Sequence, residues 1–292
     1  MGFRTLRVDG GSIEYVVSGP EDAADLLLFH VGTPSGAVVY PGLTKAAAAA
    51  GMRVATYSRG GYGRSTRREG RSVADEVAIS AAIADRLAHE RFFTLGWSGG
   101  GPVALACAAL LADRVRACVT LASIAPRVEA GPVWESFHTP EQLKEWNDLA
   151  NGDIAALLPE FEEAVGIFGR ITPRRLKAVG GPPDARAVAY GTMVEIEPFL
   201  VRSMRRAVLG GHFGFLDDNL AQARDWGFRV ADIRIPVVIR QGALDRLVPE
   251  GNGRWLAEAI PGARGVFLDD AGHGSIALPW TDVVSDLVGA AR

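Results

Sequence analysis

The sequence predicts an α/β fold: a mostly parallel, twisted sheet flanked by helices, with a helical cap inserted between two of its strands. Three observations carry this. Short, continuous apolar runs alternate with helical stretches in both ends of the chain. That rhythm stops after Pro126 and resumes only at Ile235. The chain has 292 residues, 48 % of them hydrophobic, which is enough to bury a large core.

The elements follow in order. Arg4–Val8 and Ser12–Val17 flank Asp9-Gly10-Gly11, residues that take the positive φ of a tight turn, and predict an antiparallel hairpin. The runs Leu26–Val31, Val54–Tyr57, Phe92–Leu95, Ala117–Leu121, Val237–Ile239 and Val266–Leu268 lack period-two alternation. Strands buried on both faces read this way. Between the second and third runs, Val77, Ile79, Ile83 and Leu87 mark one face of a helix, with Ser72 as its N-cap and Asp75 as a first-turn acid. Strand–helix–strand alternation of this kind calls for a parallel sheet with helices on both faces.

Residues 128–230 lack the strand rhythm. Thr139-Pro140-Glu141-Gln142 is a helix start, with Thr139 as cap, Pro140 in the first position and Gln142 three residues after the cap. Asp153–Phe168 and Asp184–Leu209 read as further helices. The expected division is a core of residues 1–127 and 231–292 and a cap of residues 128–230. No internal repeat interrupts it.

Composition narrows the function. Lys and Arg number 31 against 34 Asp and Glu, a net charge of −3, so no basic excess exists to neutralise phosphates and nucleic acid is not an expected partner. Cys107 and Cys118 lie in apolar runs and read as small buried hydrophobes in a reducing compartment, not as a disulfide or a metal site. The N-terminus shows no apolar signal core, and Leu6 stands where N-myristoylation needs Ser or Thr. Ala46–Ala50 is far shorter than the roughly 20 apolar residues that span a bilayer. The expectation is a soluble, cytoplasmic protein acting on a small molecule, with homo-oligomer formation left open.

Four motifs carry chemistry. Gly96-Trp97-Ser98-Gly99-Gly100 matches G-x-S-x-G between the apolar run ending at Leu95 and the helical stretch from Pro102. Such a strand-to-helix turn raises a serine above the sheet, beside the positive end of the following helix. No Gly-Lys-Ser/Thr follows, which excludes a phosphate loop, and the glycine spacing does not fit the dinucleotide fingerprint G-x-G-x-x-G. A serine hydroxyl needs a base, and among five histidines His273 follows the last apolar run, at the strand edge where functional groups collect. A base needs an acid to orient it: Asp245, just past a buried strand, is the first choice, with Asp269 and Asp270 held in reserve. Oxyanion stabilisation needs backbone N–H groups; Gly99 supplies one and the loop His30-Val31-Gly32-Thr33-Pro34 the other, with Thr33 chosen because Pro34 has no N–H. His30 reads as structural.

With these residues in place, the chain resembles the α/β-hydrolase fold over residues 1 to 126 and 231 to 292. Tyr57-Ser58-Arg59-Gly60-Gly61-Tyr62-Gly63-Arg64-Ser65 is similar to the glycine-rich loop of capped members. The resemblance implies a serine hydrolase with a triad of Ser98, Asp245 and His273, an inserted cap and no cofactor or metal. The chain departs from the family in having His30-Val31-Gly32 where His-Gly usually precedes the oxyanion residue. A serine at 98 also differs from the carboxylate nucleophile of haloalkane dehalogenases and epoxide hydrolases.

Carboxylic ester or lactone hydrolysis is therefore the leading expectation. Amide cleavage with Glu195 or Glu197 holding a substrate amine, carbon–carbon bond hydrolysis, perhydrolase activity and non-hydrolytic ligand binding are the alternatives. For substrate contact the candidates are Trp97 beside the serine, with Trp134 and Phe137 from an aromatic-rich cap; packing inside the cap is their competing role. Arg202, Arg205 and Arg206 form a basic run on one expected helix, read as a solvated face.

Overall fold

A computed structural model describes residues 2–8, 10–152, 154–180 and 184–292. Asp9 of the hairpin turn and Asp153 at one expected helix start lie outside them. The strands are β1 (Arg4–Val8), β2 (Gly11–Ser18), β3 (Asp25–His30), β4 (Met52–Tyr57), β5 (Phe92–Trp97), β6 (Val115–Leu121), β7 (Val237–Gly242) and β8 (Arg264–Leu268). They form one sheet in the order β1-β2-β4-β3-β5-β6-β7-β8. The hairpin β1–β2 and the β2–β4 pair are antiparallel, and every later pair is parallel. Each apolar run expected as a strand is one.

Core helices are α1 (Pro41–Ala49), α2 (Glu76–Arg86) and α3 (Gly101–Leu110). Between β6 and β7 lies a helical region: α4 (Arg127–Ala130), α5 (Pro132–Glu135), α6 (Pro140–Asn151), α7 (Ile154–Gly169), α8 (Pro173–Gly180), α9 (Ala185–Ala189), α10 (Thr192–Glu195), α11 (Glu197–Ala207) and α12 (Phe213–Ala223). The core closes with α13 (Glu250–Ala259) and α14 (Trp280–Ala290).

Side chains alternate across a strand, and the two apolar clusters divide accordingly. Leu26 and Leu28 face one layer with Ile83, Leu105 and Ile239, whereas Leu27 and Phe29 face the other with Leu43, Val119 and Leu287. A third cluster, Leu149, Leu157, Phe161, Leu216, Leu220 and Ala223, sits within the inserted region. No helix among the described residues is long and apolar enough to cross a membrane.

Two local expectations change. Ser72 is not the cap of α2: its N–H donates to Asp75 Oδ2 at 2.7 Å in a preceding turn, and α2 begins only at Glu76, with Asp75 as the capping residue. The stretch Asp184–Leu209 is three helices, because Gly191 takes φ +67° and Pro198 can stand only in the first turn of a new helix. The Thr139 cap forms as the sequence indicates, in a full capping box with Gln142.

Candidate active site

Ser98 stands between β5 and α3 with φ +54°, a value L-residues rarely adopt. The turn is tight enough to require glycines around it. A Cβ on Gly96 would lie 2.5 Å from Gly100 O, and one on Gly100 would lie 2.0 Å from His30 O. The cost of such a conformation is of order 1–3 kcal/mol, and packing on this scale holds it.

Asp245 leaves the end of β7 with its carboxylate filled from several directions. Its Oδ1 accepts the N–H groups of Leu247 and Val248, each at 2.9 Å. Its Oδ2 lies 2.8 Å from His273 Nδ1, and Gln241 Nε2 donates to it at 3.4 Å. A carboxylate only accepts, so Nδ1 carries a proton, and in the neutral imidazole this leaves the lone pair on Nε2. Backbone bonds stitch the two loops together: Ala243 N to Leu268 O and Leu244 N to Ala271 O, both at 3.0 Å. Trp97, the residue before Ser98, donates its indole N–H to His273 O at 3.0 Å, which ties the histidine loop to the serine turn. Asp270 points elsewhere, 3.7 Å from Arg186 and more than half exposed.

The loop after β3 closes over the same edge. A Cβ on Gly32 would lie 3.0 Å from Ser98 Cβ, and one on Gly99 would lie 2.4 Å from Thr33 Oγ1. Arg59 donates to Val31 O at 2.7 Å and to Gly32 O at 3.1 Å. Gly99 is the second residue of the helical turn Ser98–Gly100 leading into α3, where the first N–H groups have no partner within the helix. His30 is fully buried, with Nε2 3.1 Å from Thr94 Oγ1, and burial together with the Arg59 charge lowers its pKa to about 3. It is a neutral structural imidazole.

A family model of the alpha/beta hydrolase fold matches residues 25–161. A pimeloyl-[acyl-carrier protein] methyl ester esterase from Aromatoleum aromaticum is 30 % identical over 249 residues, 85 % of this chain and 90 % of the relative. The chain belongs to the α/β-hydrolase-fold family. The bifunctional esterase/perhydrolase DCH of Acinetobacter calcoaceticus is 26 % identical over 97 % of this chain and 95 % of its own. Among solved structures, a hydrolase from Pseudomonas aeruginosa PA01 superposes with a TM-score of 0.69 at 23 % identity, covering 99 % of this chain and 98 % of that one.

The remaining candidates of this hydrolase fall in different places. Trp97 exposes 2 % of its surface and packs on Trp280, with ring centroids 6.3 Å apart. Trp134 exposes 1 %, stacks on His138 at 3.8 Å and donates its N–H to Ala125 O. Phe137 lies against α13, where a Cβ on Gly251 would stand 2.4 Å from its ring. Protein atoms occupy both tryptophans, and Phe137 is seated on the core. Glu195, considered for a substrate amine, lies beside Gly42 and Trp280. Arg206 is not solvated: it donates from Nε to Glu14 Oε1 at 2.8 Å.

Three residues that the sequence does not flag reach the site from the inserted region. Asp218, on α12 and 1 % exposed, pairs with Arg59 and Arg71 and accepts from Tyr62 Oη at 2.9 Å and Thr33 Oγ1 at 2.8 Å. Gln222, one turn later, donates to Thr33 Oγ1 at 3.1 Å. Asp184 accepts from Gly272 N at 3.0 Å and Ser275 Oγ at 2.7 Å, on either side of His273. The signal for α12 is its spacing: Asp218 and Gln222 are i, i+4 and share one face.

Proposed function

We propose that this hydrolase cleaves a carboxylic ester or lactone of a small to medium, partly apolar substrate through an acyl-enzyme. The observation that carries the reading is the 2.8 Å contact between His273 Nδ1 and Asp245 Oδ2, with the His273 loop tied through Trp97 to the turn that holds Ser98 at φ +54°. Ser98 Oγ attacks the carbonyl carbon and His273 Nε2 takes its proton. Asp245 holds the tautomer and stabilises the imidazolium. The N–H groups of Gly99 and Thr33 donate to the oxyanion, each worth roughly 3 kcal/mol of barrier. The intermediate collapses, the alcohol leaves with the proton from His273, and water repeats the sequence on the acyl-enzyme. The relative from Aromatoleum aromaticum, named for methyl ester cleavage, supports the ester class.

Fluorophosphonate labelling and turnover of short- and medium-chain p-nitrophenyl esters test this directly. Wild type is labelled and turns over; Ser98→Ala and His273→Ala lose labelling, and turnover falls by at least about 10⁴-fold. Labelling that persists in Ser98→Ala rules the mechanism out.

A further inference from the structure

Helix α12 has two working faces. Leu216, Leu220 and Ala223 pack with Leu149, Leu157 and Phe161 inside the inserted region. The opposite face carries Asp218 and Gln222, which meet at Thr33 Oγ1. That hydroxyl has one proton, which it donates to Asp218 Oδ2 at 2.8 Å, and it accepts from Gln222 Nε2 at 3.1 Å and Arg59 Nη2 at 3.2 Å. Its side-chain capacity is filled, so Thr33 has only its backbone N–H to offer a substrate. Gln222 Nε2 also reaches Gly99 O at 3.5 Å, so a single amide bridges the two residues whose N–H groups define the oxyanion site.

The charges around this bridge balance. The guanidinium groups of Arg59 and Arg71 face the carboxylates of Asp218 and Glu76, all buried. Arg59 is in turn the group that grips Val31 O and Gly32 O. Among the described residues, the side-chain bonds from Arg59, Asp218 and Gln222 to the loop between β3 and Pro34 therefore run to α12 directly or through Arg59.

We propose that Asp218 and Gln222 are positioning residues of the oxyanion site, so that the inserted region sets the rate at Ser98 through α12. This rests on the ester-hydrolase reading above. Oxyanion donors act only within about 2.7–3.1 Å of the developing charge, so a small displacement of Thr33 or Gly99 is felt in the transition state and not in substrate binding.

The test uses the full chain, a short-chain p-nitrophenyl ester and a fluorophosphonate. The variants are Gln222→Ala, Gln222→Glu, Thr33→Val and the Thr33→Val/Gln222→Ala pair, each checked for folding by circular dichroism and thermal melting. Thr33→Val keeps the backbone N–H and removes only the shared hydroxyl. Each single variant lowers kcat about tenfold with KM within about twofold, and slows Ser98 labelling in parallel. The double variant is no slower than the slower single, because both substitutions break one bridge. Folded variants with wild-type kcat and labelling overturn the proposal, as does a rise in KM alone, which makes Gln222 a substrate contact. A folded wild type that is neither labelled nor active overturns the hydrolase reading, and the proposal with it. The wild-type arm thus separates the two failures.

Discussion

At the scale of single residues, His30 shows what burial does to an ionisable group in this molecule. Burial and the Arg59 charge lower its pKa from 6.5 to about 3. As pH falls below 6.5 the unfolded chain binds a proton that the folded chain refuses, so the folded state loses stability, by about 1.4 kcal/mol per pH unit. Above pH 6.5 both states are neutral at this site and the effect is absent. His30→Gln removes the slope, and its stability difference between pH 7.5 and 5, measured by urea unfolding, is smaller than wild type's by about 2 kcal/mol. An unchanged difference excludes His30 as a source of acid sensitivity. Ser98, Asp245 and His273 are legible in sequence because each follows an apolar run and sits in a short local pattern. Asp218 is not, because Asp217-Asp218 in a helical stretch looks like a solvated face. Only the fold brings Arg59 and Arg71 against it.

At the scale of elements, the strands are legible because burial on both faces leaves continuous apolar runs, and α6 because its capping box is written in four adjacent residues. The break of Asp184–Leu209 into α9, α10 and α11 turns on the φ of Gly191 and on Pro198. The two-faced role of α12 depends on partners far away in sequence, and its local mark is no more than the i, i+4 spacing of Asp218 and Gln222. The β5–α3 turn is the element where local sequence and function meet most closely. Gly100→Ala places a methyl group 2.0 Å from the His30 carbonyl, a backbone atom with little freedom to move. That substitution costs about 3 kcal/mol of stability and shifts the Ser98 turn, so phosphonate labelling falls well below that of wild type at equal folded concentration. Wild-type labelling of a stable Gly100→Ala chain shows that the turn tolerates the methyl and that the crowding is relieved elsewhere.

At the scale of the whole molecule, the question is whether core and cap, expected as residues 1–127 with 231–292 and residues 128–230, unfold separately. Their ties are spread along the inserted region. Arg67 Nε donates to Asp217 Oδ2 at 2.9 Å, Arg206 Nε to Glu14 Oε1 at 2.8 Å, and Arg186 Nε to Leu278 O at 2.7 Å. Ser203 exchanges two bonds with Gly36, and Asp184 holds the loop around His273. The Asp218 carboxyl is a further tie, buried to 1 % exposure. Burial opposes its ionisation, yet Arg59 and Arg71 overcome that and hold it well below the usual carboxylate range. A depressed carboxylate contributes its full stabilisation above about pH 4 and loses it as pH falls further. Asp218→Ala leaves two buried guanidinium groups short of a partner and costs about 3–5 kcal/mol at neutral pH. Because α12 packs in the cap through its apolar face and holds the core through Asp218, wild type unfolds in a single calorimetric transition with equal van't Hoff and calorimetric enthalpies. Asp218→Ala melts earlier, and in two steps if α12 is what joins the parts. Two steps already in wild type mean that these bonds orient the cap without coupling its stability to the sheet, and the rate control assigned to α12 then acts through geometry alone.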